Sequence, residues 1–215
     1  MRDAKSRHRE MLHEGLSRYL DGMTGGSSEL VRAQVAASEP GEYETAPLAC
    51  LAAAEAVGGS AAQALPGAVS LALLAQMGLV FTGLENSGGA ASLSTPWGMP
   101  RALNAGDAMF ALAQESVLSA STGLTAEERL AAVALLDDGG REVVRALHDA
   151  GEGDTAVTAA QRALLATALG LGGLMGGGGV PAGERLAQLG REWSDLPEEE
   201  LTRILANDPR GWMET

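Results

Sequence analysis

Carboxylates are the side chains in this sequence best suited to chemistry, and their spacing decides which chemistry. Asp137 and Asp138 followed by Glu142 bring three acids within about two helical turns, a pattern able to hold a hard divalent cation through oxygen ligands. Gly139 and Gly140 interrupt the run and weaken a helix there, so it reads as a solvated cluster in preference to a metal site. Glu85 next to Asn86 sets a carboxylate beside an amide. That pair suits one weakly held cation, a polar ligand group or, where desolvation raises the carboxyl pKa, general-acid chemistry, and a polar helix end and loop is its default reading. Asp107, in the Ala-Gly-Asp run at 105–107, is the second candidate acid. A buried carboxylate needs partners, so a hydrogen-bonding role in the packing competes with a catalytic one.

A candidate ligand surface accompanies these acids. Gln76, Met77, Phe81, Asn86, Met99, Met109 and Phe110, together with Met175, offer an apolar lining with few polar groups, the usual make-up of a ligand pocket. Core packing is the default reading of the same stripe, and a buried amide satisfied by backbone is the default for Gln76. His8, His13 and His148 lie too far apart and lack a cysteine or carboxylate frame, so zinc is not expected. There is no nucleophile elbow, phosphate loop or dinucleotide fingerprint; the glycine-rich 170–179 lacks the Lys-Ser/Thr ending of a phosphate loop. No metal and no cofactor is expected. Cys50, in the apolar run 48–56 and the one cysteine of the chain, reads as a buried structural thiol, compatible with a reducing compartment.

The elements that must position these residues are helical. Apolar residues make up 46% of the 215, aromatics only 3%, and Ala and Leu outnumber the β-branched types, which favours helix over strand. Periodicity and punctuation predict helices over 8–21, 28–38, 46–57, 65–84, 101–120, 125–150, 155–175, 183–193 and 197–207, in a single domain over 1–215. Thr125 with Glu128 has the spacing of a capping box. The glycine pairs 58–59 and 88–89 and the run 176–179 are expected as loops. A net charge of -13 with scattered basic residues gives a nucleic-acid backbone nothing to meet. The charged N-terminus is not a secretory signal, and the apolar stretch 61–81, diluted by Gln, Pro, Ser and Gly, reads as a buried helix and not a membrane span. A cytoplasmic protein is expected.

Residues 97–113, WGMPRALNAGDAMFALA, resemble the segment of bacterial polyprenyl diphosphate synthases that opens the helix after the first aspartate-rich motif. CLAAAEAVGG (50–59), REVV (141–144) and ATALGLGGLMGG (166–177) resemble further packing segments of that family, in the family's order, over roughly 41–190. In the last of these, small residues let neighbouring helices approach closely. The resemblance implies an all-α isoprenoid-synthase barrel of about nine helices around an elongated apolar cavity. In the family, carboxylates at the cavity mouth hold magnesium, which neutralises the leaving diphosphate, and basic residues hold a second diphosphate.

The sequence departs from that pattern at each of these sites. The first motif falls on Thr82-Gly83-Leu84-Glu85-Asn86, with Glu85 off the family's ligand positions. The following Arg-Arg-Gly gives way to the short polar 87–96. The early Gly-Lys basic segment is Gly41-Glu42-Tyr43-Glu44-Thr45. Ala146-Leu147 replaces Gly-Gln, and the second aspartate-rich motif falls on Arg191-Glu192-Trp193-Ser194-Asp195-Leu196. A typical member also runs further. The expectation is therefore a homologue without metal-dependent prenyl elongation, acting as an accessory subunit or terpenoid-binding protein. It is expected as a homodimer, or as a heteromer with an active prenyl or terpene synthase; family members pair through helices that include the one beginning near Arg101. The alternative is a repurposed terpene-synthase-like enzyme, an isoprenoid cyclase or transferase, working without the magnesium cluster. Regular capping argues against a decayed relic.

Overall fold

A computed structural model describes residues 4–39, 41, 43–85, 98–119, 123–150, 154–197, 200, 201, 203, 204, 209 and 212. The chain is all-α: α1 (Ala4–Gly22), α2 (Gly26–Ala37), α3 (Thr45–Ala56), α4 (Ala61–Glu85), α5 (Met99–Ser119), α6 (Ala126–Ala150), α7 (Asp154–Ala163), α8 (Leu165–Gly173) and α9 (Gly179–Ser194). A π-helical turn, Leu174–Gly178, joins α8 to α9.

Helix α4 is the centre of the bundle, packed on α1, α3, α5, α6, α7 and α8. Its residues 67–78 are all buried, as expected of a helix apolar on every side. The window Ala61–Gly83 is long and apolar enough to cross a membrane, yet 78% of it is buried inside the bundle. Ser70 ties α4 to α5 by donating its hydroxyl to Ala113 O (2.6 Å). Tyr19 ties α1 to α5 through Leu112 O (2.9 Å), above the apolar seam of Leu12, Leu16 and Leu20.

Caps and exposed turns explain where helices begin. Glu128 N–H donates to Thr125 Oγ1 (3.2 Å) while Thr125 N–H donates to Glu128 Oε2 (2.8 Å), the reciprocal box that the sequence predicts. Half of such a box, Ser60 N–H to Gln63 Oε1 (2.8 Å), with Gln63 N–H returning to the Ser60 carbonyl (3.1 Å), starts α4 four residues earlier than the apolar pattern did. Likewise α1 begins at Ala4, because its first turn is exposed and carries no hydrophobic period. The expected 155–175 helix is broken at Leu164 into α7 and α8. The glycines 176–179, expected as a loop, form the kink between α8 and α9: Gly177 and Gly179 have the non-helical φ values 92° and 67°, which glycine alone adopts freely. The expected 197–207 helix lies largely outside the described residues. Trp212 meets Trp193 of α9 edge-to-face, 5.2 Å between centroids.

Burial of Cys50 predicts an alkaline weakness. The thiol is fully buried and desolvation pushes its pKa up, so above the unfolded value of about 8.5 the native state binds more protons than the unfolded one. Stability then falls as pH rises, by about 1.4 kcal/mol per unit for this group. Urea melts between pH 8 and pH 9.5 should show a loss of about 1 kcal/mol across that window, steepening as the pH rises, and Cys50→Ala should flatten it while lowering stability overall. An equally steep slope in the variant would mean that the thiol is not its source.

Candidate functional site

The C-terminal half of α4 carries Gln76, Met77 and Phe81 of the expected lining, and glycines of α4, α5 and α6 set how closely the helices approach. A Cβ on Gly78 would lie 3.2 Å from Val143 Cγ1 of α6 and 3.6 Å from Ala160 Cβ of α7. Phe81 lays its ring over Gly106 of α5, where a Cβ would stand 2.6 Å from Cε1, and Phe110 does the same over Gly140 of α6, at 2.7 Å from Cε2. Thr167 of α8 fills the space over Gly139 and donates its hydroxyl to Leu135 O (3.2 Å). The two glycines at 139–140 are thus sockets for side chains of α5 and α8, and they sit inside α6 without breaking it.

Met77 and Met109 are buried, and Met175 places its sulfur over Gly67. Met99 lies apart, 57% exposed at the start of α5. Asp107 is exposed as well, which corrects the buried setting expected of it. Helix α5 buries Ala102, Ala105, Gly106, Met109 and Ala113 along one face, and helical geometry turns 103 and 107 to another. Glu85 is the last residue of α4, and Asn86 lies outside the described residues.

At 82–83, inside the stretch 82–86 where the resemblance places the first motif, Thr82 is buried and donates its hydroxyl to Gly78 O (2.9 Å). These two positions offer no carboxylate to a magnesium ion. The acids of α6 have local partners: Asp137 accepts from Gln114 Nε2 (2.6 Å), Asp138 pairs with Arg141 and Glu142 with Arg145. Among the described residues no group of three or more His, Cys, Asp or Glu is placed to hold a metal.

Two polar arrangements escaped the sequence reasoning. Glu44, the residue before α3, is only 4% exposed and takes Arg9 Nε at 2.8 Å and His13 Nε2 at 2.7 Å from α1. A turn earlier, His8 Nε2 stands 3.3 Å from Glu55 of α3. Beside Glu44, the phenol of Tyr43 is pushed up by burial and by that carboxylate. The signal was present as a basic run at 7–13 and an acidic one at 42–44, but only the fold brings the two together. A groove of about 250 Å3 opens next to them between α1 and α2, lined by His13, Leu16, Leu20, Arg32, Val35 and Tyr43 among others. The Arg32 guanidinium there is already spent on Leu20 O (3.1 Å) and Met23 O (2.7 Å).

The second arrangement joins α2 to α4. Gln34 Nε2 donates to Gln76 Oε1 (3.3 Å) and to Ser38 Oγ (3.2 Å), and Ser38 donates to Gln76 Oε1 (2.8 Å).

No protein-family model matches the chain, and no curated protein matches it. Solved structures do. A geranylgeranyl pyrophosphate synthase matches over 90% of this chain and 62% of its own, with a TM-score of 0.72 at 15% identity. The geranylgeranyl pyrophosphate synthetase of Pyrococcus horikoshii Ot3 matches over 89% and 63%, with 0.70 at 19%. The geranyl diphosphate synthase small subunit of Antirrhinum majus matches over 94% and 89%, with 0.64 at 18%. The chain therefore spans less than two thirds of the length of the two geranylgeranyl synthases. Likeness at these identities establishes the fold, and that fold is the all-α isoprenoid-synthase bundle.

Proposed function

We propose that this chain is an isoprenoid-synthase-fold subunit that does not itself elongate prenyl diphosphates. It pairs with a second subunit of the same fold and holds an apolar, isoprenoid-like ligand, in the cytoplasm. The observation that carries the reading is the end of α4: Thr82 is turned back onto its own helix and Gly83 has no side chain. An allylic diphosphate leaves only when its charge is neutralised, and these positions supply nothing to hold the neutralising cation. Likeness to a protein described as a geranyl diphosphate synthase small subunit supports the subunit role.

Exposed apolar side chains support a pairing surface along α5 and α6. Phe110 on Gly140 and Gln114 on Asp137 set α5 and α6 antiparallel. That register brings Leu118 toward Leu130 at one end and Val144 toward Met99 and Leu103 at the other, and all five are exposed. Apolar groups of this kind, left open to water at both ends of the helix pair, support an interaction surface there.

Light scattering should find a dimer, or a complex with a co-expressed prenyl synthase from the same genome. Leu103→Glu with Leu130→Glu should weaken that association at least tenfold without unfolding the protein. Geranyl, farnesyl and geranylgeranyl diphosphate with magnesium should be returned unchanged. A monomer indifferent to every such synthase would sink the pairing, and magnesium-dependent chain elongation would sink the non-elongating role.

A further inference from the structure

The groove between α1 and α2 is lined by two polar side chains that bond to nothing in the protein. Leu16 and Leu20 of α1 and Val35 and Ala36 of α2 give it apolar walls, and Tyr43, Asp21 and Arg32 complete the lining. Tyr43 is only 5% exposed, yet among the described residues its hydroxyl makes no hydrogen bond. That hydroxyl is not among the polar atoms sealed from solvent, and the groove is the opening it meets. Burial, and then the carboxylate of Glu44, push the phenol's pKa up, so at neutral pH it keeps a proton to donate. Asp21, near the end of α1, is exposed and has no ion-pair partner among the described residues. Arg32 does not neutralise it by contact: Nε donates to Leu20 O, Nη2 to Met23 O and Nη1 to Ser28 Oγ (3.3 Å). The two unpaired groups stand at opposite ends of the groove. Tyr43 lies by His13, whose Nε2 is 2.7 Å from the adjacent Glu44, and from His13 to Asp21 α1 rises by about 12 Å.

We propose that this groove binds a small apolar amine with a hydrogen-bond acceptor at the end opposite its ammonium group, the ammonium on Asp21 and the acceptor on the Tyr43 hydroxyl. The body of such a molecule lies on Leu16, Leu20, Val35 and Ala36, which supply contact without direction. Direction comes from the two ends, one of which offers a carboxylate and the other an O–H. An anion of the same shape would meet the unpaired Asp21 carboxylate, and the guanidinium that could offset this already gives its N–H groups to α1 and Ser28. A net charge of -13 also draws cations to the surface and repels anions. An amine without the acceptor would leave the phenol unpaired, at the cost of one hydrogen bond. The site stands apart from the function proposed above, so its failure leaves that reading intact.

Titration of the isotope-labelled full chain, followed by amide chemical shifts in α1 and α2, tests it with three probes of nearly one shape. Tyramine carries both ends, phenethylamine lacks the hydroxyl, and phloretate has a carboxylate in place of the amine. Tyramine should bind about tenfold more tightly than phloretate, a difference of about 1.4 kcal/mol, and about threefold more tightly than phenethylamine. Asp21→Asn, at an exposed position, should remove most of the preference for the amine over the carboxylate. Tyr43→Phe keeps the ring and should bind tyramine and phenethylamine alike, with circular dichroism confirming the fold. Should Tyr43→Phe fail to fold, the Asp21→Asn comparison and the tyramine-to-phenethylamine ratio of the wild type still decide. Phloretate binding as tightly as tyramine, or an amine preference that survives Asp21→Asn, overturns the cationic assignment. Shifts confined to other helices, or none with any probe, overturn the site.

Discussion

Gly172→Ala should leave little or no soluble folded protein, and where it can be measured should lower stability by about 3 kcal/mol or more. A methyl group on Gly172 would stand 2.2 Å from the carbonyl oxygen of Cys50 and 2.6 Å from Ala53 Cβ, both on α3. The nearest atom is backbone, so no rotamer change relieves it and α3 and α8 must move apart. One turn on, Gly176 meets Ala54 in the same way, 2.7 Å from its Cα, so any separation has to run along the whole contact. Intrinsic helix propensity pulls the other way, because alanine favours a helix over glycine by about 1 kcal/mol; the steric term exceeds it. Gly22→Ala is the matched control. It closes α1 with nothing within 4 Å, and should be neutral or stabilising by up to about 1 kcal/mol. Urea melts of the two variants make the comparison. A Gly172→Ala protein that melts with wild type would mean that α3 and α8 are further apart than described.

That contact shows what was legible in the sequence. The run 166–177 mixes leucine with alanine and glycine, and close helix approach is the physical use of such a pattern, so its small-residue face was legible in the sequence, whereas the break at Leu164 that separates α8 from α7 was not. The capping box at Thr125 was equally plain, since both partners lie within four residues. What could not be read were features that depend on partners far away in the chain. Gly139 and Gly140 look like a weak point in a helix until Thr167 and Phe110 are seen seated on them. Asp107 sits in the run most like a known family, and its residue type and neighbours gave no sign that α5 would turn it to the solvent. Gln34 and Gln76 are separated by 42 residues, and nothing local to either marks them as a pair. The pattern of small and apolar residues fixes which helices touch, whereas polar groups acquire meaning only from the element opposite.

Such a polar group underlies the second large effect. Glu44→Gln should lower stability by about 1–3 kcal/mol, and Glu44→Ala by at least as much. The carboxylate is 4% exposed, while its partners Arg9 and His13 are 46% and 40% exposed. The larger losses known for buried ion pairs must therefore be discounted for solvent reaching the cationic side. Helix α3 adds to its stabilisation, since an acid at a helix start faces the positive end of the macrodipole, although the side chain makes no cap bond to α3 itself and reaches to α1 instead. The reciprocal change follows from the same geometry. Arg9→Ala with His13→Ala strands a nearly buried carboxylate, so that variant should be hurt more than its exposed positions suggest. Adding Glu44→Leu to it should recover part of the loss, because removing the whole group leaves no charge without a partner. Urea melts of the wild type, Glu44→Leu alone, the Arg9→Ala/His13→Ala variant and the triple variant complete the cycle. Recovery by the third substitution would establish Glu44 as the ionised anchor that holds α1 against α3. Strictly additive losses would assign the docking of α1 to Leu12, Leu16 and Leu20 alone.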